Sequence, residues 1–151
     1  MRHFLDLKDF STNTLQSMLD TGLCMKAAQK SGDGHELSLS GKSVAMIFEK
    51  PSTRTRVSFE VGITQLGGTP LVLSANDLQS GRGETIEDTA RVLSRYVNAI
   101  MIRCYKHETL STLAKHSSVP VIKHGPYPQC FHHGHFVNRL PTGSVAFHQA
   151  E

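Results

Sequence analysis

Apolar residues along this chain fall into blocks of two kinds, and the two kinds alternate. Val44-Ala45-Met46-Ile47-Phe48 is a continuous apolar run, the pattern of a buried strand, and the first core strand is expected over 43–48. Thr69 to Ser74, Asn98 to Arg103 and Val119 to Ile122 read as three more short strands. Between them the spacing lengthens to three and four residues. Val57 to Leu66 is a helical pattern stopped by Gly67-Gly68. Glu84 to Tyr96 is a second, with an acidic first turn and Ile86, Ala90, Leu93 and Val97 as its apolar face. Lys106 to Ser117 is a third, carried by Leu110, Leu113 and Ala114. Ahead of the first strand, Ser11 caps a long helix reaching about Lys30, with Leu15, Met18, Leu19 and Leu23 as its stripe. Ala75 to Gly83 is polar and glycine-containing, the pattern of an exposed loop. Alternating strands and helices predict an α/β fold: an open, mostly parallel four-stranded sheet with helices on both faces.

Composition narrows the class. At 151 residues the chain can build one domain with a proper core. A net charge of +3, with basic residues dispersed, does not suggest nucleic-acid binding. No apolar run approaches the roughly 20 residues of a membrane span. The N-terminal residues, with Asp6, Asp9 and Asp20, resemble neither a secretory signal nor a transit peptide, so a cytoplasmic protein is expected. Cys24, Cys104 and Cys130 are odd in number and widely spaced, which fits reduced thiols.

The chemistry concentrates in the turn between the first strand and the second helix, Glu49-Lys50-Pro51-Ser52-Thr53-Arg54-Thr55-Arg56. A helix N-terminus carries unpaired N–H groups and partial positive charge, which suits an anion. Two hydroxyls and two guanidiniums in that same turn add charge-assisted donors. The plainer reading is a Ser or Thr cap followed by solvated arginines. Arginine is also unfavourable there, because the helix dipole repels cations at that end. In open α/β sheets ligands bind beyond the carboxyl ends of strands. The Ser52–Thr55 turn and Arg103 both fall at such ends, so the pattern alone places them on one edge. No G-x-x-x-x-G-K-[ST] run is present, so ordinary nucleotide hydrolysis is not indicated.

Residues 48–60, Phe-Glu-Lys-Pro-Ser-Thr-Arg-Thr-Arg-Val-Ser-Phe-Glu, resemble the carbamoyl-phosphate motif of the aspartate/ornithine carbamoyltransferases. Residues 77–91, with Arg82-Gly83-Glu84 where the aspartate branch would show Lys-Gly-Glu, resemble the ornithine branch, as do His3 to Leu7 and Ile100 to Arg103. The resemblance implies that Ser52, Thr53, Arg54 and Thr55 hold the phosphate of carbamoyl phosphate and that Arg103 bridges phosphate and carbamoyl oxygens. Arg54 and Arg103 would be the catalytic pair. Gln79 would lie in the loop that reaches into a neighbouring site of a homotrimer. The implied reaction, in arginine and ornithine metabolism, is attack of the ornithine δ-amine on the carbamoyl carbon, with phosphate leaving. It needs no cofactor, no metal and no covalent enzyme intermediate. Arg56 is expected to pair with Glu60 rather than with ligand.

The resemblance covers residues 2 to about 122 and then stops. The family continues with an Asn-Gly-Leu-Thr-type turn and a His-Pro-Cys-Gln motif, where this chain has Lys123-His124-Gly125-Pro126 and then Pro128-Gln129-Cys130. His133 and His135 have no carboxylate or second cysteine arranged with them, so no metal site is expected. Residues 1–122 are expected to be the carbamoyl-phosphate-binding domain and 123–151 a divergent, poorly structured tail. The ornithine-binding domain is missing from the sequence, as in a truncated or frame-disrupted product. Such a chain should bind carbamoyl phosphate with little or no turnover. The alternative is a non-catalytic module that binds phosphate-bearing metabolites or co-assembles with a full-length relative. A poorly folded remnant, with a bare apolar sheet edge, is a third reading. Asn98, where the family usually has aspartate, should bear on stability rather than chemistry.

Overall fold

The four strands β1 (Ser43–Phe48), β2 (Thr69–Ser74), β3 (Ala99–Arg103) and β4 (Val121–Lys123) form one sheet in the order β2-β1-β3-β4. The structure is a computed structural model that describes residues 3–32, 36–49, 51–74 and 85–124. Every pairing in this sheet is parallel. The helices α1 (Thr12–Ser31), α2 (Thr53–Gln65), α3 (Ile86–Tyr96) and α4 (His107–His116) alternate with them along the chain. The α/β expectation is therefore borne out, with helix and strand bounds within a few residues of those read from the pattern. The largest difference is at α2, which begins at Thr53. The apolar spacing becomes visible only from Val57, because the first turn is polar.

Alternation along the strands assigns the two faces. Ala45 and Ile47 of β1, Ile100 and Ile102 of β3 and Val121 of β4 form one buried cluster with Ala90 of α3 and Leu110, Leu113 and Ala114 of α4. Val44, Met46 and Phe48 of β1 and Met101 of β3 form the other, with Ile63 and the half-buried Phe59 of α2. Helices thus cover both faces, and β1 and β3 are buried on both, as continuous apolar runs require. The chain steps from β1 to β2 through α2, then crosses to the far side of β1 to build β3. The order reverses between β1 and β3, and a crevice for ligands opens at such a switch point. Phe48 and Arg103 are register partners there.

Two features were not fixed by the spacing. No residue of α1 is buried, and Met18, Leu19 and Leu23 are about half exposed; only Leu15 of the predicted stripe is half-buried. Spacing shows that a helix has an apolar stripe; it does not supply a surface to cover it. The β4 edge is not bare either. Phe4 donates its N–H to Val121 O at 2.8 Å and accepts from Lys123 N at 2.8 Å, adding a parallel bridge on that edge. His3 Nδ1 takes the N–H of Val121 at 3.1 Å. Lys123 therefore belongs to the sheet, while the expectations for residues 125–151, including Cys130, His133 and His135, lie outside the described residues.

Asn98 sits just before β3, and its Oδ1 accepts the Ser43 N–H at 2.9 Å, tying the starts of β1 and β3 together. Asn98→Ala should lower the unfolding free energy by about 1 kcal/mol, the net worth of one such bond. Asn98→Asp, which keeps the acceptor, should change it by less than about 0.5 kcal/mol. Urea denaturation of the two variants beside the parent checks both.

Candidate functional site

The turn after β1 leads straight into α2. Ser52 is the N-cap residue, but its side chain makes no capping bond. Its hydroxyl instead donates to Thr55 Oγ1 at 2.9 Å. The first turn of α2 contains no acidic residue to offset Arg54 and Arg56. An uncapped helix end crowded with positive charge is locally unfavourable, and an anion would relieve it. Arg56, as expected, turns to Glu60, 3.4 Å away. Arg54 and Thr53 are exposed.

Arg103 reaches the same turn from the end of β3. Its Nη1 donates to Thr55 Oγ1 at 3.3 Å. Its Nε–H is buried and has no hydrogen-bond partner among the described residues. An unsatisfied buried donor costs about 1–3 kcal/mol, so a ligand that accepts from it gains that much. The backbone around Arg103 is tied in place. Its carbonyl accepts the Glu49 N–H at 3.0 Å, and the Glu49 carboxylate accepts the Tyr105 N–H at 2.9 Å. The structure therefore brings Ser52, Thr55 and Arg103 into one hydrogen-bonded group, with Thr53 and Arg54 on the adjoining helix turn. Gln79 lies outside the described residues.

Two residues here were not singled out from the sequence. Glu49 braces the turn after β3. His124, one residue beyond β4, places Nε2 3.1 Å from Thr55 Oγ1 and its ring edge-on to Phe59, centroids 5.5 Å apart. Its N–H donates to Ile102 O at 2.9 Å, continuing the β3 ladder. Burial, and then the Arg103 guanidinium, hold its pKa below the ordinary histidine value. The strand-end rule that found Arg103 applies equally to His124, but the apolar pattern of that strand stops at Ile122.

A cleft of about 670 Å³ opens beside this group, lined by Phe48, Glu49, Ser52, Thr53, Arg56 and Ser74 among others. It lies on the β2 side of the α2 N-terminus, whereas Thr55, Arg103 and His124 close the β3 and β4 side. The residues with unmet or shared donors, rather than the volume, define where an anion would sit. Among the described residues no three His, Cys, Asp or Glu side chains are grouped to hold a metal. Cys24 and Cys104 are unpaired, and burial raises the Cys104 pKa.

A parallel α/β sheet with an electropositive helix end at its switch point defines an anion-binding α/β domain. The chain belongs to the family described as aspartate/ornithine carbamoyltransferase, carbamoyl-P binding domain, which it matches over residues 2–128. It is 56% identical over 121 residues to the ornithine carbamoyltransferase of Nitrobacter winogradskyi, covering 80% of this chain and 39% of that protein. The ornithine carbamoyltransferase of Pyrococcus furiosus superposes with a TM-score of 0.76 at 54% identity, over 81% of this chain and 39% of that one. The catalytic subunit of M. jannaschii aspartate transcarbamoylase gives 0.72 at 32% identity, over 83% and 41%. The chain thus spans about two fifths of the length of these relatives, and it is ornithine carbamoyltransferase-like over that span. Among the described residues no helix is long and apolar enough to cross a membrane.

Proposed function

We propose that this domain binds carbamoyl phosphate at the β1/β3 switch point. The phosphate rests on the first-turn N–H groups of α2 and on Ser52, Thr53, Arg54 and Thr55. Arg103 bridges phosphate and carbamoyl oxygens, and Gln79 serves the site of a neighbouring copy in a homotrimer. The observation that carries this reading is the buried Arg103 Nε–H, without a hydrogen-bond partner among the described residues, beside an uncapped helix end. The reaction served is carbamoyl transfer to the δ-amine of ornithine. The amine nitrogen bonds to the carbamoyl carbon, a tetrahedral intermediate forms, and the C–O bond to phosphate breaks. Arg54 and Arg103 act electrostatically, stabilising charge on the carbamoyl oxygen and the departing phosphate. The 151-residue polypeptide alone is proposed to bind the dianion with little or no citrulline formed, because the matched residues correspond to 39% of the relatives' length.

Calorimetric titration with carbamoyl phosphate tests this. Saturable heat is expected, and Arg54→Ala should weaken binding about fivefold, since an exposed guanidinium contributes on the order of 1 kcal/mol to such a contact. No saturable heat from the parent chain would sink the proposal, and citrulline formed in proportion to purified protein would sink the claim of inactivity.

A second reading, a subunit-interaction module, draws on the exposed Met18, Leu19 and Leu23 of α1. Sedimentation of the chain alone and mixed with a complete ornithine carbamoyltransferase separates the two. Trimers or mixed species support association, and a lone monomer in both samples removes it.

A further inference from the structure

The Thr55 hydroxyl has three neighbours, and their geometry fixes the state of His124. Ser52 Oγ donates to Thr55 Oγ1 at 2.9 Å, and Arg103 Nη1 donates to it at 3.3 Å. A hydroxyl oxygen accepts two hydrogen bonds and donates one. Both acceptor positions are therefore taken, and the Thr55 O–H is left to donate to His124 Nε2, 3.1 Å away. His124 must then be neutral, with Nε2 bare and its proton on Nδ1. An Nε2–H would be a third donor pointed at an oxygen with no lone pair to spare.

We infer that His124 is a proton-linked latch on the phosphate turn. Neutral, it holds the Thr55 hydroxyl in the arrangement that ties up Ser52 and Arg103. When Nε2 takes a proton from solvent it must donate to Thr55, and either the Ser52 hydroxyl or the Arg103 Nη1–H is displaced. The displaced donor is then free for a dianion in the site. The inference rests on the anion site proposed above and adds proton linkage to it.

Electrostatics act in the same direction. β3 presents one charged group to the imidazole, the Arg103 guanidinium, while α2 presents the Thr55 hydroxyl and the Phe59 ring. Of the two α2 cations that flank Thr55, Arg56 is paired with Glu60 and Arg54 is exposed. Burial and Arg103 both disfavour the imidazolium. A dianion against Arg103 offsets that repulsion and raises the His124 pKa. Anion binding therefore takes up protons, and affinity rises as pH falls. A rise of one pKa unit corresponds to about tenfold tighter binding below both pKa values than above them.

Sulfate is the probe, because it stays a dianion across this range and contributes no titration of its own. The parent chain should bind sulfate about tenfold more tightly at pH 5.5 than at pH 8. His124→Gln should flatten most of that difference. Long-range proton–nitrogen NMR of the parent chain reads the latch directly and needs no variant. Before sulfate is added, His124 should show the Nδ1–H tautomer at pH 7.5, and its pKa should rise on sulfate addition. An Nε2–H tautomer, or the same pH dependence in parent and variant, would overturn the latch while leaving the anion site standing. No sulfate or carbamoyl phosphate binding at any pH, with the Nδ1–H tautomer present, would remove the anion site and the linkage with it.

Discussion

Arg103→Met should cut carbamoyl phosphate affinity by more than about a hundredfold while leaving the fold intact. The two halves of this expectation have separate causes. Losing a largely shielded, charge-assisted fork to a dianion costs about 3 kcal/mol or more, which sets the hundredfold. The fold does not depend on that fork. Arg103 makes one long side-chain bond, 3.3 Å to Thr55, and its Nε–H is unpartnered among the described residues. The bonds that hold this strand end do not involve the Arg103 side chain: the Arg103 carbonyl accepts the Glu49 N–H, and the Glu49 carboxylate accepts the Tyr105 N–H. Methionine keeps most of the apolar stem and removes an orphaned buried donor, so urea unfolding should shift by less than about 1 kcal/mol. Arg103→Lys should also bind poorly, because it keeps charge but loses the planar fork. Parent-like carbamoyl phosphate affinity in a folded Arg103→Met chain would overturn the assignment.

Ile100→Ala should destabilise the domain by about 2–5 kcal/mol, a large share of the roughly 5–15 kcal/mol available to a domain this size. Ile100 is fully buried in β3 and packs in the cluster shared with α3 and α4. Its strand is second from one edge and bonded on both sides, so the backbone cannot close readily around the lost methyl groups. Leu19→Ala in α1 is the matching control. That side chain is about half exposed and should change stability by less than about 1 kcal/mol. Urea midpoints for the two variants distinguish the structure from the pattern. Similar losses at both positions would mean that α1 is packed after all.

The contrast between these two helical and strand positions shows how much was legible. Leu19 and Leu110 each sit at helical spacing, yet one is exposed and the other buried. Periodicity records the stripe, and only the assembled sheet determines whether a surface lies opposite it. The Ser52–Thr55 turn and Arg103 were readable because strand ends and a helix start leave plain marks in sequence. His124 was not, because a three-residue strand followed by Gly and Pro gives too short a pattern to show where it ends.

By itself the sequence determined the alternation of strand and helix, the position of the polar turn between β1 and α2, and membership of the carbamoyltransferase family. Each is a local property, set by side-chain period, capping residues and short motifs. The tertiary structure decided the rest: which helix faces are covered, how Phe4 seals the β4 edge, and how Ser52, Arg103 and His124 meet at the Thr55 hydroxyl. These depend on residues far apart in the chain, as with His3 and Val121, 118 positions from each other. A linear pattern carries no distance between such groups; the parallel register of β1, β3 and β4 supplies it.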